Sequence, residues 1–187
     1  YFDFIIDANA RMKSLIRDLL DYSRLGAVIE WTQVDGNSIW ANVLADLDTA
    51  IKNANAVIKS DPLPVFKGHP VEIKQLFQNL LANAIKFRKK EVVPQIEVSV
   101  SDAETHWKFA IKDNGIGIDE QHKEKIFLIF QRLHSKTEYE GTGIGLSICR
   151  RIAERHGGDI TAKSKPEHGA TFIVTLPIKQ AKGGDQR

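Results

Sequence analysis

The chain has 187 residues, of which 42% are hydrophobic and 27% charged, and its formal net charge is +2. This is the composition of a soluble globular protein, long enough for one domain with a core and an additional element. The small charge, without a dense lysine or arginine run, argues against nucleic acid as a partner. The single cysteine, Cys149, excludes an internal disulfide and fits a reducing compartment.

No apolar stretch is long enough to cross a membrane, and no signal peptide is visible. The chain begins at Tyr1 without an initiator methionine, which indicates a piece of a longer protein. We therefore expect a cytoplasmic fragment that does not itself enter a membrane, whether or not its parent protein is attached to one.

Apolar residues at heptad spacing predict one long helix over residues 3–25. Ile5, Met12 and Leu19 recur every seven residues, with Ala8 and Leu15 at companion positions. Such a helix is about 35 Å long, and an apolar stripe of that length needs a partner surface. We predict a homodimer through residues 3–25; the alternative is an ordinary helix packed on its own domain.

The pattern after Gly26 predicts an α/β domain over residues 27–178, followed by a disordered tail at 179–187. Strands are predicted at 29–34, 56–59, 65–67, 95–101, 107–112, 159–162 and 170–176. Helices are predicted from a cap at Asp35 or Asn37 through Ile51, at about 71–87 and at 143–156. Strands alternating with helices, with hairpins at the end, predict a two-layer sandwich of a mixed sheet and helices, preceded by the long N-terminal helix.

Three polar side chains form a line on the helix at 71–87. Asn79, Asn83 and Lys86 are spaced i, i+4 and i+7, beside an apolar face that includes Leu76 and Leu80. An amide oxygen can ligate a hard cation and a lysine can neutralise phosphate, so the line suits a magnesium triphosphate. Taken alone, it is more simply explained as a solvated face.

Asp113 ends a predicted strand and is followed by Asn114 and Gly115, which alone indicate a hairpin turn. The second glycine, Gly117, suggests that the backbone passes close to a ligand. A buried carboxylate at the base of a pocket could accept a hydrogen bond from an exocyclic amine such as that of adenine.

A glycine-rich loop, Gly141-Thr142-Gly143-Ile144-Gly145-Leu146, leads directly into the helix at 143–156. Glycines at a helix start expose N–H groups where the helix dipole favours anions. The loop lacks the lysine and hydroxyl residue of a P-loop and the strand and glycine spacing of a dinucleotide fold.

Taken together, these segments resemble the ATP-binding domain of sensor histidine kinases, in the superfamily shared with gyrase, MutL and the large heat-shock chaperones. Residues 75–87 (QLFQNLLANAIKF) resemble its N box and residues 113–117 (DNGIG) its G1 box. Residues 126–132 (IFLIFQR) resemble its F box, and residues 141–146 (GTGIGL) its G2 box. Residues 169–172 (GATF) resemble its closing motif. Residues 1–26, with 11–25 (RMKSLIRDLLDYSRL), resemble the second helix of the dimerisation and phosphotransfer domain, in a form common in phytochrome-like and other PAS-linked kinases.

The resemblance implies Mg-ATP as the ligand and a role for each matching residue. Asn83 would ligate Mg²⁺, and Asn79 and Lys86 would contact phosphates. Asp113 would bind the adenine amine, and Arg132 would reach the γ-phosphate during transfer. Asn79, Lys86 and Arg132 are therefore the predicted catalytic residues.

The glycines would shape the same site. Gly115 and Gly117 would let the chain pass the nucleotide, and Gly141, Gly143 and Gly145 would hinge a lid over residues 118–140. The predicted nucleotide-binding set is completed by Thr142, Leu146 and Thr171.

Two departures from the family pattern stand out. Leu128 and Ile129 replace the more usual Glu-Pro of the F box, and no histidine is followed by the acceptor pattern of an acidic residue, Leu, Arg and Pro. The acceptor would therefore lie on a helix before Tyr1, in the same or a partner chain, with a response regulator as the next partner.

Three functions remain open at this stage. The chain could be the catalytic part of a histidine kinase, a gyrase-type ATP-hydrolysing switch, or a nucleotide-binding and dimerisation scaffold without activity. Gyrase-type enzymes place a glutamate one turn before the metal-binding asparagine; Asn79 occupies that position, and an amide cannot act as a general base. This favours the kinase.

Overall fold

A five-stranded mixed sheet is the framework of the structure, a computed structural model that describes residues 31–133, 139 and 141–178, together with residues 9, 12, 13, 15, 16, 19, 20 and 22. The strands are β1 (Thr32–Asp35), β2 (Val57–Ser60), β3 (Val65–Gly68), β4 (Gln95–Ala103), β5 (His106–Asp113), β6 (Asp159–Ser164) and β7 (Ala170–Pro177). The sheet has the order β2-β4-β5-β7-β6, and β1 pairs with β3 in a separate antiparallel ribbon.

Only one pair in the five-stranded sheet is parallel, that of β2 with β4. The other three pairs are antiparallel, with Val98 opposite Ile111 in the β4–β5 hairpin. The predicted pairing of 95–101 with 107–112 is confirmed, as is the two-layer α/β sandwich.

Four α-helices have both ends within the described residues: α1 (Gly36–Asp46), α2 (Asp48–Ala54), α3 (Pro70–Lys86) and α4 (Gly145–Arg155). Two short 3-10 helices follow β5, at Glu120–His122 and Lys125–Phe127. Asp35 caps α1 by accepting a 2.9 Å hydrogen bond from the Asn37 N–H. The helix predicted to continue through Ile51 is interrupted at Leu47, whose φ and ψ are −101° and 9°. Neither glycine nor proline stands there, so the break carries no local sequence signal.

The central helix is α3, which contacts both α1 and α4. It begins with Pro70 at its first turn and with the ring of His69 accepting a hydrogen bond from the Glu72 N–H. Its inner face is buried and comprises Ile73, Leu76, Phe77, Leu80, Leu81 and Ala84. Each large apolar side chain of this kind contributes about 1.5–3 kcal/mol on burial, so α3 is a fixed support for its polar face.

Helix α4 packs on the same core through Ile148, Cys149, Ile152 and Ala153. It starts two residues later and ends one residue earlier than the predicted helix at 143–156. It stops before Gly157, whose φ is 76°.

The predicted N-terminal helix falls mostly outside the described residues. All eight described residues between 9 and 22 are helical, and Met12, Leu15, Ile16, Leu19 and Leu20 are exposed. The predicted tail at 179–187 also lies outside the described part. No helix within the described ranges is long and apolar enough to cross a membrane.

Candidate functional site

A cleft lies between the C-terminal half of α3, the segment after β5 and the loop that precedes α4. Two of its walls come from the start of β7 and from residues 126–133. Its lining comprises Asn79, Asn83, Lys86, Phe87, Asp113, Ile116, Gly117, Ile118, Ile126, Gln131, Arg132, Leu133, Tyr139, Gly141, Thr142, Gly143, Gly145, Leu146, Ala170 and Phe172.

The polar line on α3 faces this cleft. Asn79, Asn83 and Lys86 all lie in its wall, on the side of α3 that the core does not cover. The Asn79 amide also donates a 3.4 Å hydrogen bond to the carbonyl oxygen of Gly145, which joins α3 to the start of α4. The spacing predicted from the sequence therefore places two amides and an ammonium on one wall.

One part of the cleft, which we name the carboxylate end, is lined by Asp113 and Gly117 and supported by Gly115 and Gly169, which contact Asp113 but do not line the cleft. A single oxygen of Asp113, Oδ1, accepts hydrogen bonds from the N–H groups of Gly115 (2.8 Å) and Ala170 (3.1 Å). Burial raises the pKa of Asp113, and these two hydrogen bonds oppose that rise. Within the described part of the chain Oδ2 has no donor, so it can accept a hydrogen bond from a ligand.

Glycine is required at the carboxylate end because backbone segments touch there. A Cβ on Gly169 would lie 2.0 Å from the carbonyl oxygen of Asp113, and one on Gly117 would lie 2.1 Å from that of Lys165. Both glycines also have positive φ, 77° and 74°, which side-chain-bearing residues rarely adopt. The turn between β6 and β7 therefore packs in direct backbone contact with the segment after β5.

A second part of the cleft lining, which we name the cation end, consists of Lys86, Arg132, Tyr139, Gly141 and Gly145. Burial lowers the pKa of Lys86, and the nearby Arg132 guanidinium lowers it further. The Lys86 ammonium lies 4.2 Å from the centre of the Phe87 ring. Two cations facing one cleft favour a ligand that carries several negative charges.

The glycine-rich loop enters α4 beside the cation end. Gly141, Thr142, Gly143, Gly145 and Leu146 all line the cleft, and α4 begins at Gly145. The first N–H groups of a helix have no partner within it, so this end of α4 can hold an anion.

Most of the predicted site residues are brought together in this one cleft. Two are not: Gly115 and Thr171 do not line it. Gly115 lies beneath Asp113, where its N–H holds the carboxylate. Ala170 and Phe172 line the cleft, as alternation along β7 predicts, whereas Thr171 lines only an adjoining basic groove with Lys112 and Lys163. Thr171 therefore does not line the cleft, and its assignment as a nucleotide contact stays a prediction.

Sequence reasoning missed several residues of the lining, most notably Phe87, Tyr139 and Phe172. Phe172 could have been found by applying the two-residue period of β7 to Ala170. Tyr139 gave a weaker signal, an aromatic side chain two residues before the glycine-rich loop. Of the histidines, His69 opens α3 as predicted, and His134 lies outside the described residues.

The sequence of this fold has clear relatives. Residues 68–180 match the sequence model of the family described as histidine kinase-, DNA gyrase B-, and HSP90-like ATPases. The chain belongs to this family. The cleft with its carboxylate end and cation end is therefore part of an ATP-binding domain, as the resemblance implied.

Individual relatives narrow the comparison. The chain is 42% identical to cyanobacterial phytochrome A of Nostoc sp. over 188 aligned positions, covering all of this chain and 24% of that protein. It is 40% identical to the phytochrome-like protein Cph1 of Synechocystis sp., covering 95% of this chain and 24% of that protein. The predicted phytochrome-like character is confirmed, and the chain spans about a quarter of the length of these relatives.

Solved structures show the same fold. The catalytic domain of histidine kinase ThkA superposes with a TM-score of 0.69 at 28% identity, covering 81% of this chain and 100% of that domain. ThkA in complex with the response regulator protein TrrA matches with a TM-score of 0.72 at 26% identity, over 96% of this chain and 51% of that one.

Proposed function

We propose that this chain is the ATP-binding catalytic part of a sensor histidine kinase. It transfers the γ-phosphoryl group of Mg-ATP to a histidine on a helix outside this chain, for relay to an aspartate of a response regulator. The observation that carries the proposal is the presence in one cleft of a half-buried carboxylate acceptor, two cations and the N-terminus of α4.

Each end of the cleft takes one part of the nucleotide in this proposal. The free Oδ2 of Asp113 accepts a hydrogen bond from the adenine amine. Lys86 and the N–H groups at the start of α4 bind the phosphates. Arg132 stabilises the charge that develops on the γ-phosphate during transfer.

The donor set also fits a magnesium ion. Asn83 offers a neutral amide oxygen, which together with phosphate oxygens suits a hard cation that prefers few protein ligands. Mg²⁺ bound there would neutralise phosphate charge. Among the described residues no cluster of three or more His, Cys, Asp or Glu could hold a metal ion, so the phosphates would supply much of the coordination.

The environment of Asn79 favours a kinase over an ATP-hydrolysing switch. Its amide is engaged with the carbonyl oxygen of Gly145 and lacks the basicity to activate water. The phosphoryl group then needs an acceptor from elsewhere, such as a histidine nitrogen. ThkA, which shares this fold, is described in a complex with a response regulator, and this supports the same class of partner here.

We include dimerisation in the proposal. Met12, Leu15, Ile16, Leu19 and Leu20 expose apolar surface on one helix, and a second copy of that helix would cover it. Sedimentation at increasing concentration tests this, and a strictly monomeric profile would remove it.

The test of nucleotide binding is the change Asp113→Asn, measured by calorimetry with Mg-ATP. The amide keeps an oxygen for the Gly115 and Ala170 N–H groups but places a donor where adenine also donates. We expect affinity to fall by at least about a hundredfold, since an unpaired buried polar pair costs about 1–3 kcal/mol and the lost bond was charge-assisted. Asp61→Asn, an exposed site outside the cleft, is the matched control.

Phosphoryl transfer is tested separately by adding an acceptor-helix domain and labelled ATP. We expect an acid-labile phosphoramidate on the added domain and no stable label on this chain. Tight ATP binding without transfer would favour the scaffold, and release of inorganic phosphate alone would favour the hydrolysing switch.

A further inference from the structure

Tyr139 contacts the segment that follows the C-terminal end of α3. Its ring centre lies 5.2 Å from that of Phe87, with an angle of 50° between the ring planes. Its hydroxyl group donates a 3.2 Å hydrogen bond to the carbonyl oxygen of Arg88. The backbone at residue 139 is thereby attached to the helix that carries the polar line.

The same stretch of backbone holds Arg132. One guanidinium nitrogen, Nη2, donates a 2.7 Å hydrogen bond to the carbonyl oxygen of Tyr139, and Nη1 donates one of 2.7 Å to that of Gly141. A set of contacts therefore runs from the two residues that follow α3 through the Tyr139 side chain and its carbonyl group to the guanidinium, which the Gly141 carbonyl group also holds.

Arg132 needs this support because it faces a second cation. Its charge contributes to the lowered pKa of Lys86, so the two positively charged side chains repel each other. Two carbonyl dipoles offset part of that repulsion. A guanidinium has five N–H donors, and these two hydrogen bonds leave the others to reach phosphate.

We propose that Tyr139 is a positioning residue that places the Arg132 guanidinium for the terminal phosphate of the bound nucleotide. This inference rests on the function proposed above and adds the side chain through which Arg132 is held. Tyr139 does not itself contact the reacting atoms in this proposal.

Tyr139 also lines the cleft, so its ring could instead cover the base or ribose. The two roles differ in how they depend on the terminal phosphate. A residue that acts through Arg132 discriminates between a triphosphate and a diphosphate, whereas a cover over the nucleoside affects both equally.

The experiment compares the full chain with its Tyr139→Ala and Tyr139→Phe variants, using calorimetry with Mg-ADP and with a magnesium complex of a non-hydrolysable ATP analogue. We expect Tyr139→Ala to weaken analogue binding by about tenfold and ADP binding by less than about twofold. Tyr139→Phe keeps the ring contact and should weaken analogue binding by about threefold. Val65→Ala removes an exposed apolar side chain outside the cleft and should change neither.

A double-mutant cycle with Arg132→Ala completes the test. If Tyr139 acts through Arg132, adding Tyr139→Ala to that variant should change analogue affinity by less than about twofold. Equal losses for both nucleotides, or a full tenfold loss in the Arg132→Ala background, would overturn the inference and leave the proposed function standing. A wild-type chain that binds neither nucleotide would overturn both.

Discussion

The two ends of the cleft are built differently. At the carboxylate end, backbone touches backbone: Gly169 approaches the carbonyl oxygen of Asp113, and the Ile116 carbonyl oxygen accepts a 2.7 Å hydrogen bond from the Glu167 N–H. At the cation end, side chains make the contacts, with Arg132 reaching across to the carbonyl groups of Tyr139 and Gly141.

In the proposed function the two ends bind different parts of the nucleotide, and their difference matches what those parts require. Recognition of a base needs an acceptor fixed in one place, and interlocked backbone supplies it with few alternatives. Phosphates arrive, change charge and leave, so the groups that bind them must rearrange. Side chains that hold one another by hydrogen bonds can do so at lower cost than a packed backbone.

The largest expected effect is a difference in the free energy of unfolding between two variants, each of which adds one methyl group at one of the two ends. Gly169→Ala would place a Cβ 2.0 Å from a carbonyl oxygen at a φ of 77°, so we expect a loss of about 3 kcal/mol or more in the free energy of unfolding. A Cβ on Gly145 would lie no nearer than 3.6 Å to another group, so Gly145→Ala should change the free energy of unfolding by less than about 0.5 kcal/mol.

Urea unfolding of both variants measures the contrast. Similar losses at the two positions would show that the ends are equally rigid, and the comparison would fail. A stable Gly169→Ala variant would show that the turn between β6 and β7 can move away from Asp113.

The carboxylate end also shows how far the sequence could lead. Asp113, Gly115 and Gly117 were found because the motif is continuous and strand β5 alternates clearly. Helix α3 was predicted within one residue at each end, since six apolar side chains repeat on one face. These are local signals, which a single sequence contains in full.

The features that could not be predicted from the sequence depend on contacts between distant segments. The interruption at Leu47 has no helix-breaking residue, and the parallel pairing of β2 with β4 joins strands 38 residues apart in the register Val57 to Gln95. Thr171 does not line the cleft although its motif does, since neighbouring residues of a strand face opposite sides. The role proposed for Tyr139 depends on its contact with Phe87, which lies 52 residues earlier in the chain.

A middle-sized effect is expected from Lys86→Met at the cation end. Because burial and Arg132 lower the pKa of Lys86, the charged ammonium costs stability in the free protein, and its removal should leave the fold as stable or more so. Binding of Mg-ATP should weaken by about 10- to 100-fold as one charged contact is lost.

Lys90→Met, at an exposed position just beyond α3, is the control and should leave both properties unchanged. Calorimetry and urea unfolding measure the pair. Unaltered affinity in Lys86→Met would remove this lysine from phosphate binding, and a marked loss of stability would show that it supports the fold.

The smallest effect is a pH dependence at the carboxylate end. Burial raises the pKa of Asp113 above 3.8, so the folded chain favours the protonated carboxyl more than the unfolded chain does. Its contribution to stability is therefore fully present below pH 3.8 and is lost as pH rises through the folded-state pKa.

Wild type should lose stability relative to Asp113→Asn over that interval, by about 1.4 kcal/mol for each full unit by which the pKa is raised. Urea unfolding of both proteins at steps from about pH 4 to about pH 7 gives this difference, and other titrating groups cancel because the variants share them. A difference that grows in favour of wild type would mean that the Gly115 and Ala170 hydrogen bonds outweigh burial. The charge of Asp113 would then stabilise the fold at the carboxylate end. At the cation end the charge of Lys86 lowers the stability of the fold, so the contrast between the two ends would become larger.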